Sequence, residues 1–298
     1  MKSNALAAVL AAGALLTAAC SRTESAAPAK TAAAKAPERY AIKGEILAVD
    51  PARKVLRVKH EEIKGYMPAM TMEFVVAPAD LAAAKVGQHI RAEMIPSKDG
   101  DFRLEKIWPD DAAAAAAITA SARALREDTH TRGKNAYREI GEDMPSFSLY
   151  DQEGRLVQSG RFRGKQIMLN FIFTRCPVQT MCPASTAKMI EAQKLARAAG
   201  VANIEFVSIT LDPVYDTPAV LKEYAEVRGI DAANFSFLTG PESAIRDLLT
   251  QFGVIAEFEG DLLKHTLATL LIGDSGKIVH RADGSAWEPQ EFVAKMKK

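Results

Sequence analysis

The chain has 298 residues, so its length allows two domains and an export segment. Its 38 lysines and arginines balance 37 aspartates and glutamates, and this formal net charge of +1 argues against a nucleic-acid-binding protein. The 48% hydrophobic content is ordinary for a soluble protein, and three cysteines are too few for a disulfide scaffold. We therefore expect the two closely spaced cysteines, Cys176 and Cys182, to serve a chemical function.

Residues 1–20 predict an export signal. Lys2 supplies a positive start, residues 5–16 are uninterruptedly apolar, and Thr17-Ala-Ala-Cys20 forms a small-residue cleavage site. The apolar run is too short to span a bilayer comfortably. The segment resembles a bacterial lipoprotein signal, which implies lipidation of Cys20 and a membrane anchor in the periplasm. The alternative is ordinary signal cleavage that leaves Cys20 free, and both alternatives place the protein in an oxidising compartment.

A tether and a small β domain are predicted next. Residues 21–39 are rich in alanine, proline and lysine without an apolar face, which indicates a flexible tether. Residues 40–109 hold five short segments with strand character, at 41–49, 54–60, 70–76, 89–95 and 102–108. Five strands within 70 residues predict a small all-β barrel.

Residues 110–136 predict a helical linker. Asp110 and Asp111 precede six alanines at 112–117, and the helical pattern continues through residue 126. An aspartate just before such a run is a favourable N-cap. We expect this helix to be a structural spacer between two domains.

Residues 137–298 change to an α/β pattern. The predicted elements are a strand at 167–173, a helix at 184–199, a strand at 204–211, helices at 218–228 and 241–252, a hairpin at 265–281 and a closing helix from 288. Two β-α units, a β-hairpin and a last helix form the thioredoxin-like order. The predicted fold is therefore an α/β thioredoxin-like domain preceded by a small all-β barrel.

The cysteine pair follows the apolar strand 167–173. Because Cys182-Pro183 would open the next helix, both thiols are expected at the carboxyl edge of the sheet, where sites of α/β proteins commonly lie. A helix amino end lowers the pKa of a thiol, so we expect an available thiolate.

Three functions of the pair remain open at this point. A structural disulfide closing so small a loop would stabilise the fold by only about 2–2.5 kcal/mol. A redox pair would carry out thiol–disulfide exchange. Two thiolates could instead bind a soft metal ion such as Cu(I), and a third ligand would favour this alternative. His265, at the start of the predicted hairpin, is the candidate third ligand, although a lone histidine is often structural.

Residues 137–298 resemble the Sco/SenC family of copper-binding, thioredoxin-fold proteins. The matching signatures are Phe173-Thr-Arg-Cys-Pro…Cys-Pro183, Ser208-Ile-Thr-Leu-Asp-Pro-Val-Tyr-Asp-Thr-Pro218, Lys264-His-Thr266 and Leu270-Leu-Ile-Gly-Asp-Ser-Gly276. The resemblance implies that Cys176, Cys182 and His265 hold copper. It also implies a client copper protein, the cytochrome c oxidase subunit with the dinuclear copper site, which family members help to assemble as copper donors, thiol reductants or both. A thioredoxin-like reductant is a further implied partner.

The chain departs from the common family pattern in its cysteine spacing. Five residues separate Cys176 from Cys182, where three are usual, and this wider loop could favour redox work over stable copper binding. Met181 in this loop is expected to pack rather than to bind metal. The family places an acidic residue at the end of the next strand, which implies that Asp212 supports the metal ligands. Its alternative role is that of a turn residue before Pro213.

A methionine cluster marks a second candidate metal site, in residues 40–109. Met70 and Met72 are two residues apart on a predicted strand and share a face, and His60 ends the preceding strand. Two thioethers and an imidazole suit Cu(I) or Ag(I), whereas the alternative is a methionine-rich core patch.

The segment 60–74 resembles the CusF-like periplasmic Cu(I)/Ag(I)-binding domain, a five-stranded OB-type barrel. This resemblance implies that His60, Met70 and Met72 are ligands. The tryptophan that covers the metal in that family is missing here. Met67 stands at its place, so either Met67 is a fourth ligand or Tyr66 covers the site.

These predictions describe an exported periplasmic metallochaperone that binds Cu(I) at two sites and delivers copper to a client. Because two sites on one chain raise the effective concentration, hand-over of copper within the chain is expected. The alternative functions are a thiol–disulfide oxidoreductase, which would need only Cys176 and Cys182, and a copper-resistance buffer without a dedicated client.

Overall fold

Alternation of apolar and polar residues closes the first five strands into a barrel. The computed structural model describes residues 37–97, 100–133, 135–259 and 262–297, so the predicted signal, Cys20 and the tether up to residue 36 lie outside it. The strands are β1 (Tyr40–Asp50), β2 (Val55–His60), β3 (Met70–Val75), β4 (His89–Pro96) and β5 (Phe102–Pro109), with the short helix α1 (Pro78–Ala83) between β3 and β4. Their order around the barrel is β1-β2-β3-β5-β4, which confirms the predicted barrel.

The barrel interior is filled by side chains that alternate along each strand. Leu56 and Val58 on β2 and Phe74 on β3 are completely buried, together with Met94 on β4. Gly44 on β1 lies opposite His60 on β2. A Cβ atom at Gly44 would lie 2.5 Å from the Lys59 carbonyl oxygen, so only glycine permits this close approach of the two strands.

The predicted linker helix is present as α2 (Ala112–Arg132). The Asp111 side chain accepts hydrogen bonds from the backbone N–H groups of Ala113 and Ala114, as expected for an N-cap. The helix also packs against the domain that follows it, because its buried face joins that domain's hydrophobic core; this face comprises Ala114, Ile118, Ala122 and Leu125. An ion pair of 2.7 Å between Arg126 and Asp247 adds to this contact.

The second domain has a central seven-stranded sheet. Its elements are β6 (Ser148–Asp151), β7 (Leu156–Gln158), β8 (Gln166–Ile172), α3 (Cys182–Ala198), β9 (Ile204–Thr210), α4 (Pro218–Val227), β10 (Phe235–Thr239), α5 (Glu242–Gln251), β11 (Ala256–Glu259), β12 (Leu262–His265), β13 (Ala268–Ile272), β14 (Ile278–Asp283) and α6 (Pro289–Val293). The strand order is β14-β13-β8-β9-β10-β6-β7, and β8, β9 and β10 are parallel. A parallel β-α-β core with an antiparallel hairpin and a last helix confirms the predicted thioredoxin-like architecture.

The chain around His265 differs from the predicted continuous strand. β11 and β12 form a separate two-stranded ribbon, and His265 is the last residue of β12. The chain leaves this ribbon at Thr266, whose N–H donates to the Ile255 carbonyl while its hydroxyl accepts from the Ile255 N–H. These two bonds end the ribbon before the chain enters the main sheet at Ala268.

The barrel and the second domain meet in a hydrophobic joint. Trp108 near the end of β5 is buried in the core of the second domain, and its ring lies 6.1 Å from that of Tyr150. Glu153, in the β6–β7 turn, accepts one hydrogen bond of 3.3 Å from Lys222 on α4 and forms a longer ion pair of 3.8 Å with Lys85 after α1. Residues 37–298 accordingly form one compact unit. Within the described ranges, no helix is both long and apolar enough to cross a bilayer.

The packing of α2 predicts that Ile118→Ala destabilises the protein. Ile118 is 1% exposed, so its truncation leaves a cavity that should lower the free energy of unfolding by about 2–5 kcal/mol. Urea denaturation of the copper-free chain measures this change. The matched control is Ile140→Ala at a position that is 59% exposed, where we expect little change. Equal effects of both variants would show that α2 does not pack as described.

Candidate metal centres

Three chain segments converge at the carboxyl edge of the sheet of the second domain. Cys176 lies in the loop after β8, Cys182 is the first residue of α3, and His265 ends β12. Their two sulfur atoms and one ring nitrogen all lie within 4.8 Å of one another. The Cys182 Sγ and the His265 Nε2 are 3.8 Å apart. The structure thus brings Cys176, Cys182 and His265 together, as the sequence predicts. These three residues are called the thiol site hereafter.

The imidazole of His265 is held with one nitrogen directed at the thiols. Its Nδ1 lies 3.1 Å from the Thr266 carbonyl oxygen, which can only accept a hydrogen bond, so Nδ1 carries the proton. The Nε2 that faces Cys182 is then free of a proton and can donate its lone pair to a metal ion. Burial lowers the pKa of His265, which favours this neutral form. The ring of Phe173 packs edge-on against the imidazole at 5.3 Å and fixes its orientation.

The thiol of Cys182 differs from the sequence-based expectation. Burial raises its pKa to about 12, and the nearby Cys176 acts in the same direction, whereas a backbone hydrogen bond from Phe173 partly opposes the rise. The start of α3 was expected to lower this pKa, but the side chain is completely buried, so loss of hydration outweighs the helix dipole. Without metal, Cys182 therefore keeps its proton at neutral pH, and a bound metal ion must displace that proton.

Asp212 secures the loop that carries Cys176. One of its carboxylate oxygens, Oδ2, accepts a 2.8 Å hydrogen bond from the Nε of Arg175, the residue directly before Cys176. Its other oxygen, Oδ1, is buried and has no hydrogen-bond partner among the residues described. The guanidinium of Arg175 also stacks on the Tyr215 ring at 4.5 Å. Asp212 is therefore linked to the cysteine loop through Arg175, and its support of the metal ligands stays a prediction.

Asp216 is a supporting residue that the sequence analysis missed. Its carboxylate accepts hydrogen bonds from the Thr174 N–H at 3.2 Å and from the hydroxyls of Thr174 and Thr210 at 2.5 and 2.6 Å. These bonds tie the cysteine loop to the end of β9. Asp216 is fully buried, and burial raises its pKa to about 6. The available signal was an acidic residue four positions after Asp212, inside the family signature 208–218, of which only Asp212 was given a supporting role.

The second candidate site lies at one end of the barrel. His60 pairs directly with Met70, and Val58 pairs with Met72, so these side chains share one face of the β2–β3 ladder. Val58 and His60 are 0% and 2% exposed, which identifies this face as the barrel interior. Met72 packs against the barrel core, whereas Met70 is 48% exposed.

Met67 reaches the same core through a tight turn. Ile63 and Met67 exchange two backbone hydrogen bonds of 2.9 and 3.1 Å, and the Met67 side chain packs against the barrel interior. Tyr66 beside it stacks on Tyr40, with ring centroids 4.2 Å apart, and meets the edge of Phe102. Met67 and Tyr66 thus take different positions, one against the interior and one in an aromatic cluster at the barrel end.

The imidazole of His60 offers a buried ring nitrogen to a metal ion. Its Nδ1 lies 2.6 Å from the Glu61 carbonyl oxygen, which can only accept a hydrogen bond, so the neutral imidazole carries its proton on Nδ1 and its lone pair on Nε2. This Nε2 is buried and has no hydrogen-bond partner in the described part of the chain. A buried polar atom without a partner costs about 1–3 kcal/mol, so a bound cation would offset this cost. The donor set of one imidazole and thioethers fits Cu(I).

Family comparisons match both domains of the chain. The SCO1/SenC family matches residues 136–298, which is more than half of the chain. The chain belongs to the SCO1/SenC family. Residues 39–109 match the family described as copper binding periplasmic protein CusF, so this Sco protein carries an N-terminal CusF-like domain. The two matches identify copper as the metal of this chain and confirm the predicted resemblances.

Individual relatives match the Sco domain. A SCO2-like protein of Rickettsia conorii is 35% identical over 168 residues, which cover 53% of this chain and 79% of the relative. A SCO1 protein homolog of Bacillus subtilis is 30% identical over 158 residues, covering 52% of this chain and 80% of the relative. Among solved structures, a SCO1/SenC family lipoprotein from Bacillus anthracis shares 26% identity at a TM-score of 0.49, covering 54% of this chain and 97% of that chain.

The wide spacing of the cysteines does not separate their sulfur atoms in this Sco domain. The Met181 N–H donates to the Val178 carbonyl at 3.0 Å, so the additional residues form a turn before α3. Met181 is only partly exposed and packs against the hydrophobic core, as expected for a packing residue. This turn therefore accommodates the additional residues of the longer loop, and Cys176 and Cys182 remain close together.

The buried carboxyl of Asp216 predicts a pH-dependent contribution to stability. Its pKa is about 6 in the folded protein and 3.8 is its ordinary value, so the folded state binds the proton more tightly. This contribution is fully present below pH 4 and is lost as the pH rises through 6, by about 3 kcal/mol in total. Asp216→Asn removes this pH dependence.

Urea denaturation of copper-free protein at pH 4 and pH 7 tests this. From pH 4 to pH 7, wild type should lose stability that Asp216→Asn does not lose, so the free energy of unfolding of the variant should rise relative to that of wild type. The exposed control Asp101→Asn should change in parallel with wild type. A parallel pH response of wild type and Asp216→Asn would contradict the assignment.

Proposed function

We propose that this protein is an exported metallochaperone that holds Cu(I) with Cys176, Cys182 and His265 and delivers it to a client copper protein. The supporting observation is the convergence of two sulfur atoms and one proton-free ring nitrogen within 4.8 Å. Thiolates prefer soft cations, and imidazole also binds copper well. The donor set therefore selects Cu(I) over the hard cations that carboxylates prefer.

The residues of the Sco domain act on copper in complementary ways. His265 offers the lone pair of Nε2 without losing a proton, whereas Cys182 must release its proton to solvent when copper binds. Since protons compete with copper for this thiol, the site can release copper more readily than a pair of permanent thiolates would. Asp212 and Asp216 keep the cysteine loop in position during this exchange.

A client can approach the thiol site over an apolar surface. Val178 in the cysteine loop and Tyr215 in the next loop are 41% and 46% exposed, and Phe258 on the β11–β12 ribbon is 51% exposed. A groove of about 330 Å³ beside them is lined by Arg175, Asp212 and Phe258, among others. Exposed apolar side chains around a metal site are typical of protein–protein contacts.

The CusF-like barrel is proposed to hold a second Cu(I). Its ligands are His60, Met70 and Met72, with Met67 as a fourth. The buried, unpartnered Nε2 of His60 and the position of Met70 and Met72 on the same interior face support this assignment. Thioethers carry no proton, so this site needs no deprotonation of sulfur to bind copper.

The client and the location of this protein are also proposals, supported by its family membership. We propose delivery to the cytochrome c oxidase subunit with the dinuclear copper site, because Sco proteins assist its assembly, with a thioredoxin-like reductant keeping Cys176 and Cys182 reduced. The signal-like residues 1–20 and the CusF-like domain support a periplasmic location with lipidated Cys20 as the membrane anchor.

Thiol–disulfide exchange is the second candidate function. Both thiols are free, and they lie close enough to each other to react. Exchange needs one attacking thiolate, and the raised pKa of Cys182 makes this buried thiol a poor attacking group. Attack would therefore have to start at Cys176, whereas copper binding can use both thiols because the metal ion displaces the proton of Cys182.

Copper stoichiometry tests the two sites separately. Fully reduced wild type should retain two Cu(I) per chain after dialysis against a weak chelator, and Cys176→Ser and Met70→Leu should each retain one, because each removes a sulfur ligand from one site. Atomic absorption spectroscopy gives the ratio. The control Met144→Leu replaces a methionine outside both sites and should retain two. Two ions in either site variant would refute that ligand assignment.

Replacement of His265 separates copper binding from redox chemistry. His265→Gln should weaken Cu(I) binding at the thiol site at least about tenfold, since it removes a ligand, while thiol–disulfide exchange needs only the cysteines. Chelator competition and a disulfide-exchange assay measure the two properties. The exposed His130→Gln is the control. Unchanged copper affinity in His265→Gln would favour the oxidoreductase.

Deletion of the gene tests the client. A chaperone for cytochrome c oxidase predicts loss of oxidase activity that added copper partly restores, because copper then reaches the client without the chaperone. Oxidase activity and growth on copper are the measurements. Intact oxidase activity together with copper sensitivity would instead identify a copper-resistance buffer.

A further inference from the structure

The candidate ligands of the CusF-like barrel lie at one defined end of it. β2 runs antiparallel to both β1 and β3, and β3 runs parallel to β5, so β1, β3 and β5 all point in the same direction. These three strands begin at Tyr40, Met70 and Phe102, which therefore mark one end of the barrel. His60, at the last position of β2, pairs with Met70 and lies toward this end, hereafter the mouth.

The joint with the Sco domain lies at the opposite end. β3 leads at its far end into α1, which packs against α4 of the Sco domain. β5 ends at Trp108 and Pro109, where Trp108 enters the Sco core and Pro109 lies against Gly154. The mouth therefore faces away from the domain that holds the thiol site.

The joint leaves little freedom for the barrel to turn around. Only two residues, Asp110 and Asp111, separate β5 from α2, whose buried face belongs to the Sco core. Asp110 is tied back to the barrel by a 2.9 Å ion pair with Lys43, and Asp111 caps α2. Movement of the mouth toward Cys176 would have to expose Trp108, which is 8% exposed.

We propose that copper passes from the barrel of one molecule to the thiol site of a second copy, and not between the two sites of one chain. This inference rests on the proposed function, and it replaces the hand-over within the chain that the sequence predicts. Met70 and Tyr66 are 48% and 39% exposed at the mouth, so an incoming molecule can reach a thioether ligand there. Two sites on one chain raise each other's effective concentration only if they can meet, and the geometry of the joint prevents contact between the barrel mouth and the thiol site of the same chain.

The exchange is a ligand substitution without a redox step. Bonds from Cu(I) to the sulfurs of Met70 and Met72 and to His60 Nε2 break, while bonds to Cys176, Cys182 and His265 of the second copy form. The thiol protons pass to water, and copper remains in the +1 state. Direction follows from charge, because a thiolate attracts the cation more strongly than a neutral thioether does.

Two complementary variants of the full chain test the proposal. The donor, Cys176→Ser with Cys182→Ser, carries Cu(I) only in the barrel, and the acceptor, Met70→Leu with Met72→Leu, has only the thiol site. After mixing under reducing conditions, the near-ultraviolet thiolate–Cu(I) absorption should rise at a rate proportional to acceptor concentration. A chain with all four substitutions, mixed in place of the acceptor, should give no absorption.

A second experiment uses the wild-type chain, which contains both sites. Its barrel is loaded while Cys176 and Cys182 are held as a disulfide, and a reductant then frees the thiols. We expect tenfold dilution to lengthen the half-time of transfer about tenfold, as for a bimolecular step. A half-time independent of dilution, or the absence of transfer between donor and acceptor, would overturn the inference.

Copper binding before mixing distinguishes a failure of the proposed function from a failure of this inference. Should the donor or the acceptor not bind one Cu(I) before mixing, the proposed function itself falls, and this inference falls with it. Should both bind copper while transfer in wild type is independent of dilution, the proposed function stands and only exchange between molecules is refuted.

Discussion

The structure depends on the meeting of three separate chain segments at one edge of the sheet. The loop after β8, the first residue of α3 and the end of the β11–β12 ribbon bring Cys176, Cys182 and His265 within 4.8 Å. Burial shapes the chemistry of this arrangement, because it lowers the pKa of His265 and raises the pKa of Cys182. The neutral imidazole is a ready metal ligand, and a bound soft cation displaces the Cys182 proton. The same burial makes Cys182 a poor attacking group, so redox exchange would have to start at Cys176.

The support of the cysteine loop comes from the next strand. Asp212 and Asp216 follow β9, and they hold Arg175 and Thr174, the two residues directly before Cys176. Both carboxylates are buried, and a buried carboxylate is costly without hydrogen bonds. Arg175 and Thr174 of the loop and Thr210 of β9 supply such bonds, which anchor the start of the cysteine loop.

Sequence patterns predicted the residues with distinctive chemistry better than their surroundings. The close spacing of the two cysteines singled them out, whereas His265, His60 and the paired methionines were assigned as ligands through the family resemblances. Asp216 could not be separated from an ordinary turn residue, since its role depends on hydroxyls from two other segments. The raised pKa of Cys182 depends on complete burial, which the helix-start pattern alone does not reveal.

The arrangement of the two domains also lay beyond sequence reasoning. The pattern at 110–136 predicted α2 and its aspartate cap, but its packing on the Sco domain depends on a tertiary surface. The direction of the barrel mouth depends in turn on strand directions and on the burial of Trp108. The two proposed copper sites lie on one compact unit, and their different directions are consistent with the proposed capture and delivery by different encounters.

X-ray absorption of the fully reduced chain loaded with Cu(I) tests the central claim most directly, with Cys176→Ser and Met70→Leu examined alongside wild type. The account predicts sulfur and nitrogen neighbours of copper in wild type. In Cys176→Ser only the imidazole–thioether signature should remain, and in Met70→Leu only the imidazole–thiolate signature. Coordination by oxygen alone, or identical spectra for the two variants, would contradict the presence of two distinct sulfur sites.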